Sequence, residues 1–190
     1  MDLNTIFFIG PQGSGTGTQA KLLAKKLGFF HWDMGATLRE VAAGDTDLGK
    51  KVKEQIDSGV LLGDDLLLEV AKAKLKTIEP ATGVVFDGIP RRLWQAEFLM
   101  DFLKEQGRKD FTTIFLNLPK EESLKRLMLR GQTEGRADDT AEKIEFRLQQ
   151  YYDDTLPVLE YLKQNSNFIE VDGKPYIEEV TESINKALNL

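Results

Sequence analysis

The stretch that decides the fold is TIFFIGPQGSGTGTQ, residues 5–19. Its first five residues form a largely apolar run, which is typical of a strand buried in a parallel sheet. Four glycines follow between residues 10 and 17, and helical spacing begins after them. A glycine-rich turn between a strand and a helix directs unpaired backbone N–H groups at one anion, and the positive end of the helix favours that anion. The stretch therefore predicts a phosphate-binding loop.

This loop lacks the lysine that usually belongs to the pattern. Thr16 stands where the phosphate-loop pattern has Lys, and Gly17 stands where it has Ser or Thr. Loss of one preorganised donor to a transition-state charge costs about 3–4 kcal/mol, or roughly 10²–10³ in rate. Enzymes commonly accelerate reactions by more than about 10⁶. A site with other cations therefore need not be inactive without this lysine.

The composition predicts one compact domain over residues 1–190. A chain with 41% hydrophobic residues can bury a single core of this size. No apolar run approaches the roughly 18 residues of a membrane span, and the first residues carry no basic flank of a signal peptide. We therefore expect a cytoplasmic protein that does not bind membranes. The formal net charge of −6 argues against a nucleic-acid partner, which would need a clustered cationic face.

Cysteine is absent from the sequence. Its absence excludes disulfides and metal sites built on thiolates, including a structural zinc of that kind. Any metal ion must be held by oxygen ligands or by His31, the single histidine.

Apolar runs and helical patterns alternate along the chain. Strand-type runs lie at 5–9, 29–32, 84–86, 112–118 and 168–171, and helical patterns lie at 18–27, 37–43, 48–58, 64–77, 94–106, 120–130, 140–164 and 176–188. This alternation predicts an α/β fold in which helices cover both faces of a parallel sheet. Residues 33–63 lack an obvious strand and predict an inserted helical lobe. Residues 130–140 contain a glycine-bracketed loop between two helices, and such loops often act as lids.

Asp87 ends an apolar strand and is followed by Gly88-Ile89-Pro90-Arg91. Ligands of open α/β sheets bind at the carboxyl ends of the strands, so a carboxylate there can hold Mg²⁺, directly or through water. The alternative is an aspartate that caps the following helix. Because Arg91 follows a stiff turn, we expect its guanidinium to point toward the same edge of the sheet.

Four further arginines surround the predicted lid: Arg126, Arg130, Arg136 and Arg147. Arg126 and Arg130 are four residues apart and share one helix face. Arg136 lies in the loop, and Arg147 lies on the helix after it. Converging guanidinium groups can neutralise the charge that builds up on a transferring phosphoryl group. The alternative is solvated surface charge.

Three motifs resemble the adenylate kinase family, within the nucleoside monophosphate kinases. Residues 10–19 resemble its phosphate loop, residues 87–91 resemble its Asp-Gly-Phe-Pro-Arg segment, and residues 130–139 resemble its short lid. The resemblance covers essentially the whole chain. It implies a P-loop NTPase-type fold with a five-stranded parallel sheet, a mobile lobe for the monophosphate and a lid over ATP. It also implies the reaction, in which Mg-ATP and AMP interconvert with two ADP, and we expect a monomer.

The resemblance also implies a role for each matching residue. The residues expected at ATP are Gly13, Ser14, Gly15, Thr16, Gly17, Thr18, Arg126, Lys174 and Pro175. The residues expected at AMP are Gly35, Arg39, Leu61, Leu62, Gly88, Arg91 and Gln95, with the two arginines on its phosphate and Gln95 on its adenine. The implied catalytic set is Asp87, Arg91, Arg126, Arg130, Arg136 and Arg147. In this set Asp87 organises the water shell of Mg²⁺.

Departures from the family pattern leave alternatives open. Thr16 in place of Lys raises the alternative of a nucleotide-binding protein without catalysis. Residues 34–36 read Met-Gly-Ala instead of Thr-Gly-Asp and Val60 replaces a frequent Lys, so a kinase for another nucleoside monophosphate is the second alternative. Gln95 favours AMP, since relatives that prefer pyrimidine monophosphates tend to have Asn there. Asp33 replaces a common Ser, and its carboxylate predicts an additional cation near the phosphates.

Overall fold

Five parallel strands form one sheet at the centre of the molecule. The computed structural model describes residues 3–58, 63–79, 81–134 and 140–190. The strands are β1 (Thr5–Ile9), β2 (Phe30–Asp33), β3 (Val84–Asp87), β4 (Thr112–Asn117) and β5 (Asn167–Asp172). They lie in the order β2-β3-β1-β4-β5, and every neighbouring pair is parallel. The predicted five-stranded α/β fold is confirmed, and the loop after β1 lies at the switch point of the strand order, where ligands of such sheets bind.

Helices connect these strands. In the described residues they are α1 (Thr16–Leu27), α2 (Met34–Ala43), α3 (Asp47–Ser58), α4 (Asp64–Leu75), α5 (Leu93–Glu105), α6 (Lys120–Glu134), α7 (Ala141–Gln150), α8 (Val158–Asn165) and α9 (Ile177–Leu188). None of these helices is both long and apolar enough to cross a membrane.

The two faces of the sheet bury separate hydrophobic clusters, because successive side chains of a strand point to opposite sides. One cluster packs the sheet against α1 and α9 and includes Ile6, Phe8, Leu23, Val85 and Ile184. The other packs it against α4, α5 and α8 and includes Phe7, Trp32, Leu75, Phe86, Leu99 and Leu162. Helices therefore cover both faces, as predicted.

Two helices begin earlier than their apolar spacing predicts. α1 begins at Thr16 because Gly15 adopts a left-handed backbone conformation (φ 93°) and turns the chain directly into the helix. α2 begins at Met34, since the Asp33 carboxylate accepts a hydrogen bond from the N–H of Ala36 (2.8 Å) and caps the helix.

The region predicted as one helix over residues 140–164 is broken. α7 and α8 are separated by a π-helical turn, Tyr151–Thr155, in which the N–H of Leu156 donates to the carbonyl of Tyr151 (2.9 Å). Pro157 follows this turn. Proline has no N–H to donate, and its ring clashes with the carbonyl four residues earlier in a regular α-helix. The prediction of a continuous helix is therefore wrong.

Within the lobe predicted at residues 33–63, the structure describes α2 and α3, which pack against each other and against α4. Val52 and Val70 are fully buried there, and Leu38, Val41 and Leu67 surround them. Leu38 and Leu67 also pack against the sheet cluster that contains Trp32 and Phe86, so the core of the lobe is continuous with that cluster. That the lobe moves as a unit stays a prediction.

The predicted lid overlaps a helix. α6 continues to Glu134, one turn beyond its predicted end at Arg130. Residues 135–139, with Arg136, lie outside the described residues, and so do Val60, Leu61 and Leu62. The lid and these side chains therefore stay predictions.

Candidate active site

The phosphate loop and the first turn of α1 form an anion cradle at the carboxyl end of β1. Gly13 and Gly15 both have positive φ (86° and 93°), which only glycine adopts without strain. The first amides of α1 have no acceptor inside the helix, and its first turn carries no acidic side chain. A Cβ on Gly10 would come within 2.8 Å of the Leu116 carbonyl at the end of β4. The chain therefore needs glycine to pack this loop against the sheet.

Ser14 differs from the other predicted loop residues. Its N–H donates to the Pro11 carbonyl (3.0 Å) and closes a turn, and its hydroxyl is buried. The backbone amide of Ser14 is thus used inside the loop. Its predicted contact with ATP stays a prediction, and the group left for it is the buried hydroxyl, which has no hydrogen-bond partner among the described residues.

Thr16 bonds to the aspartate that ends β3. Its hydroxyl donates a hydrogen bond to the Asp87 carboxylate, and a Cβ on Gly17 would lie only 3.1 Å from Asp87 Oδ2. Burial raises the pKa of Asp87, the negative charge of Asp33 raises it further, and the Thr16 hydrogen bond lowers it. The next helix, α5, receives no side-chain cap at its N-terminus. Asp87 therefore faces the phosphate loop, and the alternative that it caps a helix is wrong.

Arg91 is held at the centre of the cleft by three hydrogen bonds. Its N–H donates to Gln95 Oε1 (2.7 Å), its Nε donates to the Gly88 carbonyl (3.0 Å), and its carbonyl accepts from the Thr155 hydroxyl (3.0 Å). Burial lowers the pKa of Arg91, and the nearby charge of Arg147 lowers it further, whereas Asp87 and Asp33 raise it. The guanidinium therefore lies within the electrostatic reach of a second arginine and of two carboxylates.

A cavity of about 120 Å³ adjoins Arg91. Its walls are Met34, Gly35, Leu38, Leu67, Gly88, Arg91, Arg92 and Gln95. Four of these are among the residues predicted to bind AMP. The other four were not predicted to bind AMP. Leu38 and Leu67 carried only the signal of apolar positions in helices, Met34 was noted only as a departure from the family's Thr-Gly-Asp pattern, and Arg92 carried no signal.

Arg39 lies beside this cavity but does not line it. Its Nη2 is 4.0 Å from Asp33 Oδ2, and two thirds of its side chain is exposed. A Cβ on Gly35 would lie 3.2 Å from both Arg39 Nη1 and Asp33 Oδ1. The absence of a side chain at Gly35 therefore leaves room for the guanidinium and the carboxylate to face each other.

Arg126 joins α6 to the opposite wall of the site. Its Nη1 donates to the Gly173 carbonyl (2.8 Å), its Nη2 donates to the Lys174 carbonyl (2.7 Å), and its Nε donates to Glu122 (3.0 Å). The structure thus brings together Arg126 and the segment after β5, and Gly13 of the phosphate loop lies next to them. Thr18, Lys174 and Pro175 lie at the same rim, where Thr18 and Lys174 are exposed and Pro175 is half-buried.

Of the other arginines around the predicted lid, Arg130 and Arg147 lie within the described residues. Arg147 lies close enough to Arg91 to act on its pKa, and Arg130 is half-buried one helical turn after Arg126. The structure therefore brings Arg91 and Arg147 together and places Arg126 between the phosphate loop and the segment after β5. Arg108 does not belong to the site at all. It is buried at the other edge of the sheet, where it donates to the carbonyls of Asn4 and Thr82.

The donors at this edge fit a magnesium ion that keeps most of its water. Asp87 and Thr16 offer a carboxylate and a hydroxyl, and Mg²⁺ prefers such oxygen ligands. Within the described parts of the chain, no three His, Cys, Asp or Glu residues lie together as a metal site. One carboxylate is enough where water and substrate phosphates supply the other ligands.

Comparisons with known proteins place the chain in a family. Residues 8–167 match the family model described as adenylate kinase. The chain is 37% identical over 187 residues to the adenylate kinase of Parabacteroides distasonis, with 98% of each chain covered. It is 38% identical over 185 residues to that of Thermus thermophilus, with 97% of each chain covered, and 36% identical over 186 residues to that of Maricaulis maris, with 98% covered. The chain belongs to the adenylate kinase family.

Proposed function

We propose that this protein is an active adenylate kinase, which transfers the terminal phosphoryl group of Mg-ATP directly to AMP and forms two ADP. The observation that carries the proposal is the position of Arg91. Arg91 lines the cavity beside Gln95, and its charge interacts with that of Asp87, which faces the phosphate loop. The Nε of Arg91 donates to the Gly88 carbonyl, and hydrogen bonds to Gln95 and Thr155 hold its backbone. A fixed cation between two phosphate sites is what phosphoryl transfer requires, because this reaction depends on positioning and charge stabilisation.

The ATP side uses the loop and α6. The amides at the start of α1 bind the phosphates, and Arg126 packs near the adenine beside Lys174 and Pro175. Asp87 holds Mg²⁺ through water, and the ion, when bound, neutralises phosphate charge and orients the terminal phosphate. Arg91 and Arg147 then take the charge that develops on the group in transfer. Arg130 and Arg136 are proposed to join them when the lid closes.

The AMP side uses the cavity beside α2. Arg39 and Arg91 bind the phosphate, and Gly35 and Gly88 allow close approach of the backbone, with Leu61 and Leu62 proposed at the base. Gln95 is already oriented, because its Oε1 accepts the N–H of Arg91, and its amide group reads the adenine edge. That the protein is a monomer in the cytoplasm, and that it binds neither nucleic acid nor membranes, stays a prediction.

A coupled assay of ADP formation decides between this proposal and its alternatives. Purified protein is assayed with Mg-ATP and, in turn, AMP, GMP, CMP, UMP and dTMP. We expect turnover with AMP and a lower kcat/KM for the others. Turnover with another monophosphate instead of AMP would favour a kinase for that nucleoside monophosphate. Tight binding of ATP and AMP in calorimetry, without any turnover, would favour a nucleotide-binding protein without catalysis.

Arg91→Lys is the variant that assigns the activity to this site. Lysine keeps the charge but loses the planar fork and the bond to the Gly88 carbonyl. We expect kcat/KM for AMP to fall roughly 10²-fold or more. Unchanged activity would mean that the measured turnover arises elsewhere, for instance from a host adenylate kinase in the preparation.

A further inference from the structure

We propose that the Asp33 carboxylate acts as an internal substitute for the phosphate of the monophosphate substrate. Before that substrate binds, Asp33 balances the arginines of its site and stabilises the fold. When the substrate binds, the same carboxylate opposes its phosphate and weakens binding. The inference rests on the proposed function in one respect, that the phosphate of AMP binds at Arg39 and Arg91.

The first support is the place of Asp33 in the sheet. It is the last residue of β2, and it pairs in register with Asp87, the last residue of β3. In-register neighbours of a parallel sheet point to the same face. Asp33 therefore enters the cleft beside Asp87.

The second support is the pair of contacts that the two carboxylate oxygens of Asp33 make. Oδ1 accepts the N–H of Ala36 (2.8 Å) and fixes the orientation of the carboxylate at the start of α2. Oδ2 is 4.0 Å from Arg39 Nη2. A residue that only capped the helix would need no negative charge, because Ser and Asn cap equally well. The charge of Asp33 is thus available to the arginines.

The third support is the charge balance around Arg91. Burial and Arg147 both lower its pKa, and Asp33, together with Asp87, opposes that effect. One carboxylate therefore lies beside Arg39 of α2 and also acts on Arg91, where it opposes the repulsion from Arg147 of α7. The phosphate of the substrate is an anion that would approach two of the same guanidinium groups.

These contacts predict effects of opposite sign on stability and on binding. Without the negative charge of Asp33, the positive charges of the arginines repel one another more strongly, so the folded state loses stability. It also removes an anion from the neighbourhood of the bound phosphate, so AMP binds more tightly. A residue with a purely structural role would lower stability and leave binding unchanged or weaker.

The experiment uses Asp33→Asn and Asp33→Ser, which both retain an acceptor for the Ala36 N–H. The melting temperature is measured without nucleotide, the Kd for AMP by calorimetry, and KM for AMP and ATP by the coupled assay. We expect a lower melting temperature for both variants. The Kd and KM for AMP should fall about tenfold, as for the removal of one unit charge at the edge of a cleft. The KM for ATP should stay within about twofold of the parent value, because solvent screens the more distant charge.

Asp45→Asn is the matched control. Asp45 lies in the same lobe, its side chain is almost fully exposed, and its ion pair with Lys50 lies on the surface. Its removal makes the same change in net charge, and we expect no change in the Kd for AMP. An equal gain in AMP affinity in this control would overturn the proposal, since the effect would then belong to the net charge.

Two further results would overturn the inference. If the Asp33 variants lose stability while the Kd for AMP stays constant or rises, the carboxylate has only a structural role. If they need several-fold more Mg²⁺ for half-maximal rate and bind AMP no better, Asp33 recruits a cation instead. Lack of turnover with AMP in the parent protein would refute the proposed function, but calorimetry with AMP would still test the role of Asp33.

Discussion

At the scale of single residues, Thr16 changes the chemistry of the phosphate loop. A lysine at this position would bring a positive charge to the phosphates, whereas Thr16 brings a hydroxyl that donates to Asp87. Asp87 is buried beside Asp33, and both features raise the pKa of Asp87. The Thr16 hydrogen bond acts in the other direction and favours the ionised carboxylate. Thr16 therefore supports the proposed magnesium ligand and does not itself replace the missing charge.

Thr16→Val tests this assignment. Valine has nearly the same shape but no hydroxyl, so the pKa of Asp87 rises further above the ordinary value of an aspartate. Because the proposed function needs the ionised carboxylate, activity is lost as the pH falls through that pKa. We expect the acid limb of kcat/KM to move to higher pH, because the hydrogen bond that lowers the pKa of Asp87 is lost.

Thr16→Ser is the control for this measurement, since serine keeps the donor. Its acid limb should coincide with that of the parent protein. An acid limb that is the same in all three proteins would show that the hydrogen bond does not set the ionisation of Asp87.

At the scale of secondary-structure elements, the π-helical turn positions the central arginine. Thr155 ends this turn, and its buried hydroxyl donates to the carbonyl of Arg91. A helix that continued unbroken from α7 would present a different side chain there, because a π turn inserts an extra residue into the repeat. The break before Pro157 therefore contributes to the site, although 64 residues separate Thr155 from Arg91 along the chain.

Thr155→Val should uncouple this element from the site. The change keeps the volume but leaves the Arg91 carbonyl without its donor, which costs about 1–3 kcal/mol of unfolding free energy when the acceptor is buried. We expect that loss in urea unfolding, together with a several-fold fall in kcat, because Arg91 is less well held. Thr155→Ser retains the donor and should behave as the parent does. A stability loss with unchanged kcat would mean that the turn supports the fold alone.

At the scale of the whole molecule, the carboxyl and amino ends of the strands form two edges of the sheet with different roles. The carboxyl edge carries Asp33, Asp87 and the phosphate loop. The amino edge is closed by Arg108, which is 2% exposed and donates to the carbonyls of Asn4 (3.1 Å) and Thr82 (2.7 Å) just before β1 and β3. A buried guanidinium with several carbonyl acceptors holds chain segments together. Its residue type alone suggests a surface charge or a phosphate ligand.

Arg108→Met should separate stability from activity. Methionine can fill the space of the side-chain stem but leaves buried carbonyls without a donor. We expect a loss of about 2–4 kcal/mol in unfolding free energy and unchanged KM values for ATP and AMP at a temperature where the variant is folded. A changed KM for either nucleotide would mean that this edge communicates with the site.

Local sequence patterns are enough to predict the architecture of this chain. The apolar run 5–9 with the glycines after it, and the strand that ends in Asp87, predict a parallel sheet with a phosphate loop and a carboxylate at one edge. These predictions depend on hydrogen-bonding and burial rules that act within a few residues. The order of motifs also suffices to identify the resemblance to adenylate kinases.

Only the tertiary structure decided which partner each charged side chain contacts. Arg108 pairs with carbonyls far along the chain, Thr155 reaches Arg91 through a π turn, Arg126 binds the segment after β5, and Asp33 faces Arg39 and Arg91. Except for Asp33 and Arg39, which are close in sequence, each of these contacts joins segments that meet only when the helices pack on the sheet. The sequence by itself thus determined which elements form and where a phosphate can bind. The fold decided which cation and which carboxylate meet there, since long side chains take the partners that packing brings within reach.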